Sequence, residues 1–346
     1  MRRRPVSPLR LLLLFMIVTG IAVIGLSLMV NMPGESASTE LSELTDHERD
    51  TARRLEADVR ALAEDIGERN LHHPDAMARA ADHVDERFRE IGFEPQRQEY
   101  ELSDALAGHY REPRAENIHV EVTGHERPEE IIIIGAHYDT VPGSPGANDN
   151  ASAVATLLHL AESFADDPQP RTLRFVAFAN EEPPFYMSED MGSHVHAARA
   201  REAGEDIRAM MSMDGLGYFS DEPGSQQFPG SGLGMLYPDR AEFIGFVTRL
   251  GDRALLRRAI AAFREEASIP SEGAALPSAI PGVAWSDHWS FWQHGYPAFF
   301  VTDTLPFRDP YYHSPGDTPE RLDYERMARV AVGLETVVRE LGGEDG

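Results

Sequence analysis

Apolar positions recur along the chain with two different periods. Leu55, Val59, Leu62 and Ile66 lie three or four apart, which predicts a helix with one buried stripe. Thr45-Asp46-His47-Glu48 has the spacing of a capping box that opens this helix, and Gly67 is a fitting stop. A second helix, capped by Asp75, would bury Met77, Val84, Phe88 and Ile91 and end at Gly92. Beyond it the pattern changes to short β runs alternating with helices. Residues 117–122 alternate like a strand, and 131–136 are continuously apolar, as expected of a central strand buried on both faces. Residues 149–164 predict a helix, 172–179 another buried strand, 190–200 a helix, 210–213 and 297–301 strands, and 322–341 a closing amphipathic helix. Strands separated by helices predict an α/β fold of three layers, αβα, around a mixed, mainly parallel sheet. Ligands of such sheets bind beyond the carboxyl ends of the strands.

The stretch 219–284 is rich in Gly and Pro around a predicted pair of helices at 239–250 and 252–267, and it reads as an insertion bordering the site. The N-terminus has its own pattern. Arg2, Arg3, Arg4 and Arg10 precede an uncharged apolar run over residues 11–30. At about 1.5 Å rise per residue, such a run reaches the ~30 Å of a bilayer core. A secretory signal has a shorter apolar region and a small-residue cleavage site, which Ser36-Ala37-Ser38 matches only loosely. The expectation is therefore a basic cytoplasmic segment at 1–10, a transmembrane signal anchor at 11–30, a linker at 31–44 and a catalytic domain at 45–346. The arginines would hold the N-terminus in the cytoplasm and leave the domain in the periplasm or outside the cell. Cleavage of the segment would instead release a secreted protein.

Composition narrows the chemistry. With 346 residues, 42% of them hydrophobic, the chain can bury a large core. It has no cysteine, which excludes disulfides, thiolate catalysis and Cys-based zinc sites. The net charge is −26, and every one of the 32 basic residues is arginine. A protein that neutralises phosphates needs a basic face, so nucleic acid is not an expected partner. The oligomeric state is not legible.

Three apolar strands each run into a polar cluster. The first ends at His137-Tyr138-Asp139, where residues two apart point to the same side of a strand. Asp139 can thus accept from the His137 imidazole and aim its other nitrogen at a metal. Taken alone, this is also an ordinary loop histidine. The second cluster is Asn148-Asp149-Asn150 at a helix start, where an acid is commonly just a cap. The third is Asn180-Glu181-Glu182. Adjacent carboxylates repel each other unless cations or protons intervene. A metal on one glutamate, with the other poised as a base, resolves that repulsion. Asp214 follows the predicted strand at 210–213, and His313 lies in a loop before the last helix. His72, His73, His119, His159, His194, His196 and His294 have no partner that the sequence names.

Together these clusters resemble, in order and spacing, the M28 family of zinc peptidases. The resemblance runs from about residue 44 to 341. It is densest in HYDTVPGSPGANDNASA, FVAFANEE, SMDG, SDHWSFWQHGYPAFFVTDT and YHSPGDTPERLD. It implies a zinc-exopeptidase fold and two zinc ions bridged by Asp149. His137 and Asp214 would complete the ligands of one ion, Glu182 and His313 those of the other. Glu181 would be the general base, Asp287 and His288 a supporting pair, and the peptide bond after Asp149 cis. The implied substrate is a peptide and the implied activity that of an aminopeptidase. Alternatives are a carboxypeptidase of the same family, a zinc-dependent glutaminyl cyclase, which shares most of these motifs but transfers an acyl group with one metal, and a receptor-like ectodomain that has lost catalysis. Such ectodomains usually lose ligands, whereas this chain keeps all five and the base. Another co-catalytic exopeptidase family carries an HxDxVP motif similar to HYDTVP, but its bridging aspartate sits between different neighbours from GANDNASA. Pro183-Pro184-Phe185-Tyr186 departs from the short Gly-containing turn of many relatives, and a stiff loop there would narrow the cleft.

Overall fold

The computed structural model describes residues 8–230 and 232–343, so Arg2, Arg3 and Arg4 of the expected basic segment lie outside the described residues. A helix, α1 (Pro8–Val30), precedes the domain. Among the described residues no helix is long and apolar enough to cross a membrane. The span expected at 11–30 and the membrane partner therefore lack support from the structure, which shows the apolar run simply as a helix.

The domain begins with α2 (Asp46–Arg60), whose first turn is closed by the expected capping box. Thr45 Oγ1 accepts from Glu48 N at 3.1 Å and the Glu48 carboxylate accepts from Thr45 N at 2.7 Å. A π-type turn carries the chain on to Ile66. Helix α3 (Pro74–Ile91) starts on proline rather than on an Asp75 cap. The fixed φ and missing N–H of Pro74 suit the first helical position, and Asp75 falls inside the first turn. Then follow β1 (Gln96–Glu101), the single turn α4 (Asp104–Ala107), β2 (Arg114–Val122), β3 (Arg127–His137), α5 (Ser152–Phe164), β4 (Arg171–Phe178), α6 (Gly192–Ala203) and β5 (Asp206–Met213). The chain ends with β6 (Ile244–Arg249), α7 (Arg253–Glu266), β7 (Ser271–Leu276), α8 (His288–Gln293), β8 (Ala298–Thr302) and α9 (Tyr324–Gly342).

Eight strands form one mixed sheet in the order β1-β2-β4-β3-β5-β8-β6-β7. Its four central strands, β4, β3, β5 and β8, are mutually parallel. The run Ile131–Ile134 in β3 shows why this centre reads as continuously apolar. Ile132 and Ile134 pack toward α2, α5 and α9, while Ile131 and Ile133 pack toward α6 and α8. Helices cover both faces, which is the expected three-layer arrangement.

Three strands, β1, β6 and β7, depart from expectation. Residues 244–249 are β6, inside the stretch 239–250 expected as a helix. Ile244 and Phe246 are buried, and the segment fills the slot between β8 and β7, where aromatic and β-branched residues fit a pleated surface. β7, from the same stretch, pairs with it, so the region expected as an insertion supplies an edge of the main sheet. β1 escapes sequence reasoning because Gln96–Glu101 is a polar edge strand with one buried side chain, Tyr100.

The central strands carry the stability of this frame. Phe175 on β4 is fully buried in the core shared by α5 and α9. Phe175→Ala should lower the unfolding free energy by roughly 3–5 kcal/mol. Urea denaturation checks this, and an unchanged midpoint would show that the core does not depend on that ring.

Candidate metal centre

The four parallel strands deliver their carboxyl ends to one place. His137 is the last residue of β3, Glu181 and Glu182 follow β4, Asp214 follows β5, and the loop after β8 leads to His313. Asp149 lies in the connection from β3 to α5. The helix predicted at 149–164 begins only at Ser152, and Asp149 and Asn150 have non-helical backbone angles. That departure lifts Asp149 out of a capping role and toward the strand ends. The peptide bond after it is cis, as the resemblance implied.

Asp149 sits between the two histidines. Its Oδ1 is 3.3 Å from His137 Nε2 and its Oδ2 is 3.1 Å from His313 Nε2. His137 Nε2 is also 3.5 Å from Asp214 Oδ1, and His313 Nε2 is 3.2 Å from Glu182 Oε2. Two groups of three ligand atoms result, His137–Asp149–Asp214 and Asp149–Glu182–His313, with Asp149 common to both. Glu181 stands beside them with Oε2 3.9 Å from His137 Nε2.

The electrostatics suit positive charge. Burial holds the Glu181 carboxyl well above its usual range, with Glu182 and Asp214 adding to the rise. Burial and then Asp149 push Glu182 up to about 8. Burial raises Asp214 to about 6 against the pull of His137. Only Asp149 is lowered, because His137 and His313 outweigh the burial that opposes it. His137 Nε2, Glu182 Oε1 and Asp214 Oδ1 are buried without a hydrogen-bond partner. Buried polar atoms rarely go unpaired. Three such atoms, all of ligand type and divided between the two groups that share Asp149, fit divalent cations, and the histidine–carboxylate donor set suits zinc.

The surrounding loops fix these ligands through contacts that the sequence only partly suggests. The Asp139 carboxylate accepts from Glu181 N at 3.0 Å and Glu182 N at 3.2 Å. Its oxygen is 3.5 Å from His137 Nδ1, whose nearer partner is the Asp139 backbone carbonyl at 3.3 Å. The imidazole is thus met by the Asp139 backbone rather than by the expected carboxylate, whose hydrogen bonds hold the glutamate pair. Asp317, in the loop after His313, accepts from Asn148 N at 2.7 Å and Asp149 N at 3.1 Å. Asn150 accepts from Gly215 N at 3.1 Å and donates to Met213 O at 3.1 Å, tying the Asp149 loop to the end of β5. Arg69 is fully buried and donates to Tyr138 O, Pro145 O and Gly146 O at 2.6, 2.6 and 2.8 Å. Gly146 has φ +62°, and a Cβ there would come within 2.4 Å of Asp149 O.

Sequence reasoning missed Asp317, Arg69 and the flanking asparagines as supports. Asp317 lies within the motif YHSPGDTPERLD, but nothing local distinguishes Arg69 from a surface arginine. Asp287 precedes α8 without capping it through its side chain, and both its carboxylate oxygens are buried without a partner. Burial raises its pKa to about 7. His288 points elsewhere, with Nε2 donating to Val283 O at 2.8 Å and its ring stacked on Phe300.

A cavity of about 280 Å³ opens directly beside Asp149, Glu181, Glu182 and His313. Its far walls are apolar and come largely from the stretch after β5, with Phe228, Leu233, Tyr237, Ile280, Trp285 and Phe307 among them. Pro183 and Tyr186 from the loop after the glutamates also line it, and Phe185 packs on Tyr110.

Comparison with known proteins places the chain in a family and a fold. The sequence model of peptidase family M28 matches residues 117–338. The chain is 36% identical over 292 residues to the uncharacterized protein YfbL of Escherichia coli (strain K12), covering 82% of this chain and 86% of that one. Its fold is similar to that of BSAP, a zinc aminopeptidase from Bacillus subtilis, with a TM-score of 0.65 and 15% identity over 84% of this chain and 94% of that one. It is also similar to the glutaminyl cyclase of Tannerella forsythia, with a TM-score of 0.61 and 19% identity over 83% and 98% of the two chains.

The Asp317 carboxylate holds the backbone amides of Asn148 and Asp149, so its loss should loosen the shared ligand. Asp317→Ala should weaken zinc binding by roughly 10–100-fold, as measured by competition with a chromophoric chelator. Unchanged affinity would show that the Asp149 loop holds its place without it.

Proposed function

The chain belongs to peptidase family M28, and on that premise we propose that it is a two-zinc exopeptidase that removes residues from the free N-terminus of peptides. One observation carries the proposal: Asp149 is shared by two complete ligand groups, with Glu181 standing free beside them. Asp149 would bridge the ions, His137 and Asp214 holding one and Glu182 and His313 the other. Two such ions, when bound, lower the pKa of a shared water and polarise the scissile carbonyl. Glu181 then accepts a proton at its carboxylate and delivers it to the leaving amine. Its burial keeps the proton transfer away from bulk solvent. Asp139 holds the Glu181 and Glu182 amides, so base and ligand keep a fixed spacing.

The apolar cavity bears on substrate. Its aromatic and aliphatic walls would take a large apolar side chain adjacent to the bond cleaved. A second reading, glutaminyl cyclisation, draws on the structural likeness to the cyclase. Against it, this chain keeps His137 within reach of both Asp149 and Asp214, a second ligand group that a one-metal reaction does not need. A position outside a membrane, with the N-terminal helix as anchor, is proposed on sequence grounds alone: an uncharged apolar run preceded by arginines.

Glu181→Gln should keep its zinc while the hydrolysis rate falls by about 10²–10⁴-fold or more. Full activity in that variant would remove Glu181 from the role of base. On a panel of aminoacyl, carboxyl-blocked and glutaminyl peptides, leucyl and phenylalanyl substrates should exceed glycyl and aspartyl ones in kcat/KM by roughly tenfold or more. Pyroglutamate formation without hydrolysis would replace the peptidase reading by the cyclase one. Cleavage only from the carboxyl end would replace it by a carboxypeptidase.

A further inference from the structure

Away from the strand ends, three side chains from three helices meet on the outer side of the layer formed by α2, α5 and α9. His47 lies in the first turn of α2, His159 in the middle of α5 and Glu335 in the middle of α9. His47 Nε2 is 3.1 Å from Glu335 Oε1, and His159 Nε2 is 2.8 Å from the same atom. Ser163 Oγ lies 3.2 Å from that oxygen as well, although its single proton has a nearer acceptor in the His159 carbonyl at 3.0 Å. Two imidazole nitrogens and a hydroxyl thus crowd one carboxylate oxygen. The side chain of His159 is 5% exposed and that of His47 is 56%, so the cluster is closed toward the helices and open to water.

We propose that His47, His159 and Glu335 form a further divalent-cation site, of structural type, separate from the Asp149 centre. The three ligand atoms lie within 4.8 Å of one another, and among the described residues this is the one such group that shares no member with the Asp149 clusters. A cation between the two Nε2 atoms and the carboxylate removes the crowding, since each imidazole then offers a lone pair rather than a proton. Two imidazole nitrogens and one carboxylate oxygen, with water on the open side, favour zinc and its borderline neighbours nickel and copper over magnesium or calcium. Such an ion would clip the first helix of the domain to α5 and α9, which together cover one face of the sheet. It adds stability because it binds the folded arrangement and not the unfolded chain.

The test uses the full chain loaded with zinc and passed over a desalting column. The parent should hold one more zinc per chain than either His47→Ala or Glu335→Gln, with peptide hydrolysis the same in all three. Zinc should also raise the thermal midpoint of the parent further than that of His47→Ala, a half-exposed position where folding is not at risk. Equal zinc content in the parent and either variant overturns the site, and leaves a hydrogen-bonded trio in its place. A chain without peptidase activity would still show the difference in zinc, so the outcome is independent of the catalytic reading.

Discussion

Asp149 keeps a carboxylate in the interior with a histidine on each side, His137 at 3.3 Å and His313 at 3.1 Å. A buried charge is tolerated only when it is paired and hydrogen-bonded. Around Asp149 stand Glu181, Glu182 and Asp214, all buried and all raised above their ordinary pKa. Gathering so many carboxylates out of water has an electrostatic cost that two imidazoles do not offset, even with the surrounding acids favouring their protonated form. Divalent cations do, and the orphaned atoms of His137, Glu182 and Asp214 mark where the missing interactions lie. The rest of the structure is arranged to hold that single carboxylate in position.

Position comes from the sheet. Four parallel strands end at one level, so residues far apart in sequence arrive within a few ångströms of one another. The loops are then locked by charge. Arg69 gathers the carbonyls of Tyr138, Pro145 and Gly146, while Asp317 gathers the amides of Asn148 and Asp149. Burial lowers the Arg69 pKa to about 10, with Asp317, Asp139 and Asp149 opposing the fall, so it stays cationic near neutral pH. A rigid shell of this kind holds the ligands at a fixed spacing before any cation arrives.

Much of this was legible in advance, and the reasons are local. Ile131–Ile134 announces a strand buried on both sides, and its periodicity needs no partner to be read. His137, Asp149, Glu181, Glu182 and Asp214 each sit where an apolar strand or an expected helix start gives way to polar residues, while His313, in a loop, is legible only through its motif. What stayed hidden depends on contacts between distant segments. β6 falls within a stretch expected as a helix and becomes a strand because β8 and β7 leave a slot for it. Arg69 has the sequence context of a surface residue and is fully buried. His159 lacks any partner within its own helix and finds one on α9. The stretch 219–284, read as bordering the site, supplies Phe228, Leu233, Tyr237 and Ile280 to the pocket walls, but Trp285 and Phe307 come from beyond it and join the others only after folding.

The most direct measurement is anomalous diffraction at the zinc edge from crystals grown with zinc. At the Asp149 centre, shared coordination predicts two peaks, one on each side of the carboxylate and about 3.5–4 Å apart, whatever else binds at His47, His159 and Glu335. A single peak on the Glu182–His313 side, with none between His137 and Asp214, would contradict the two-ion centre.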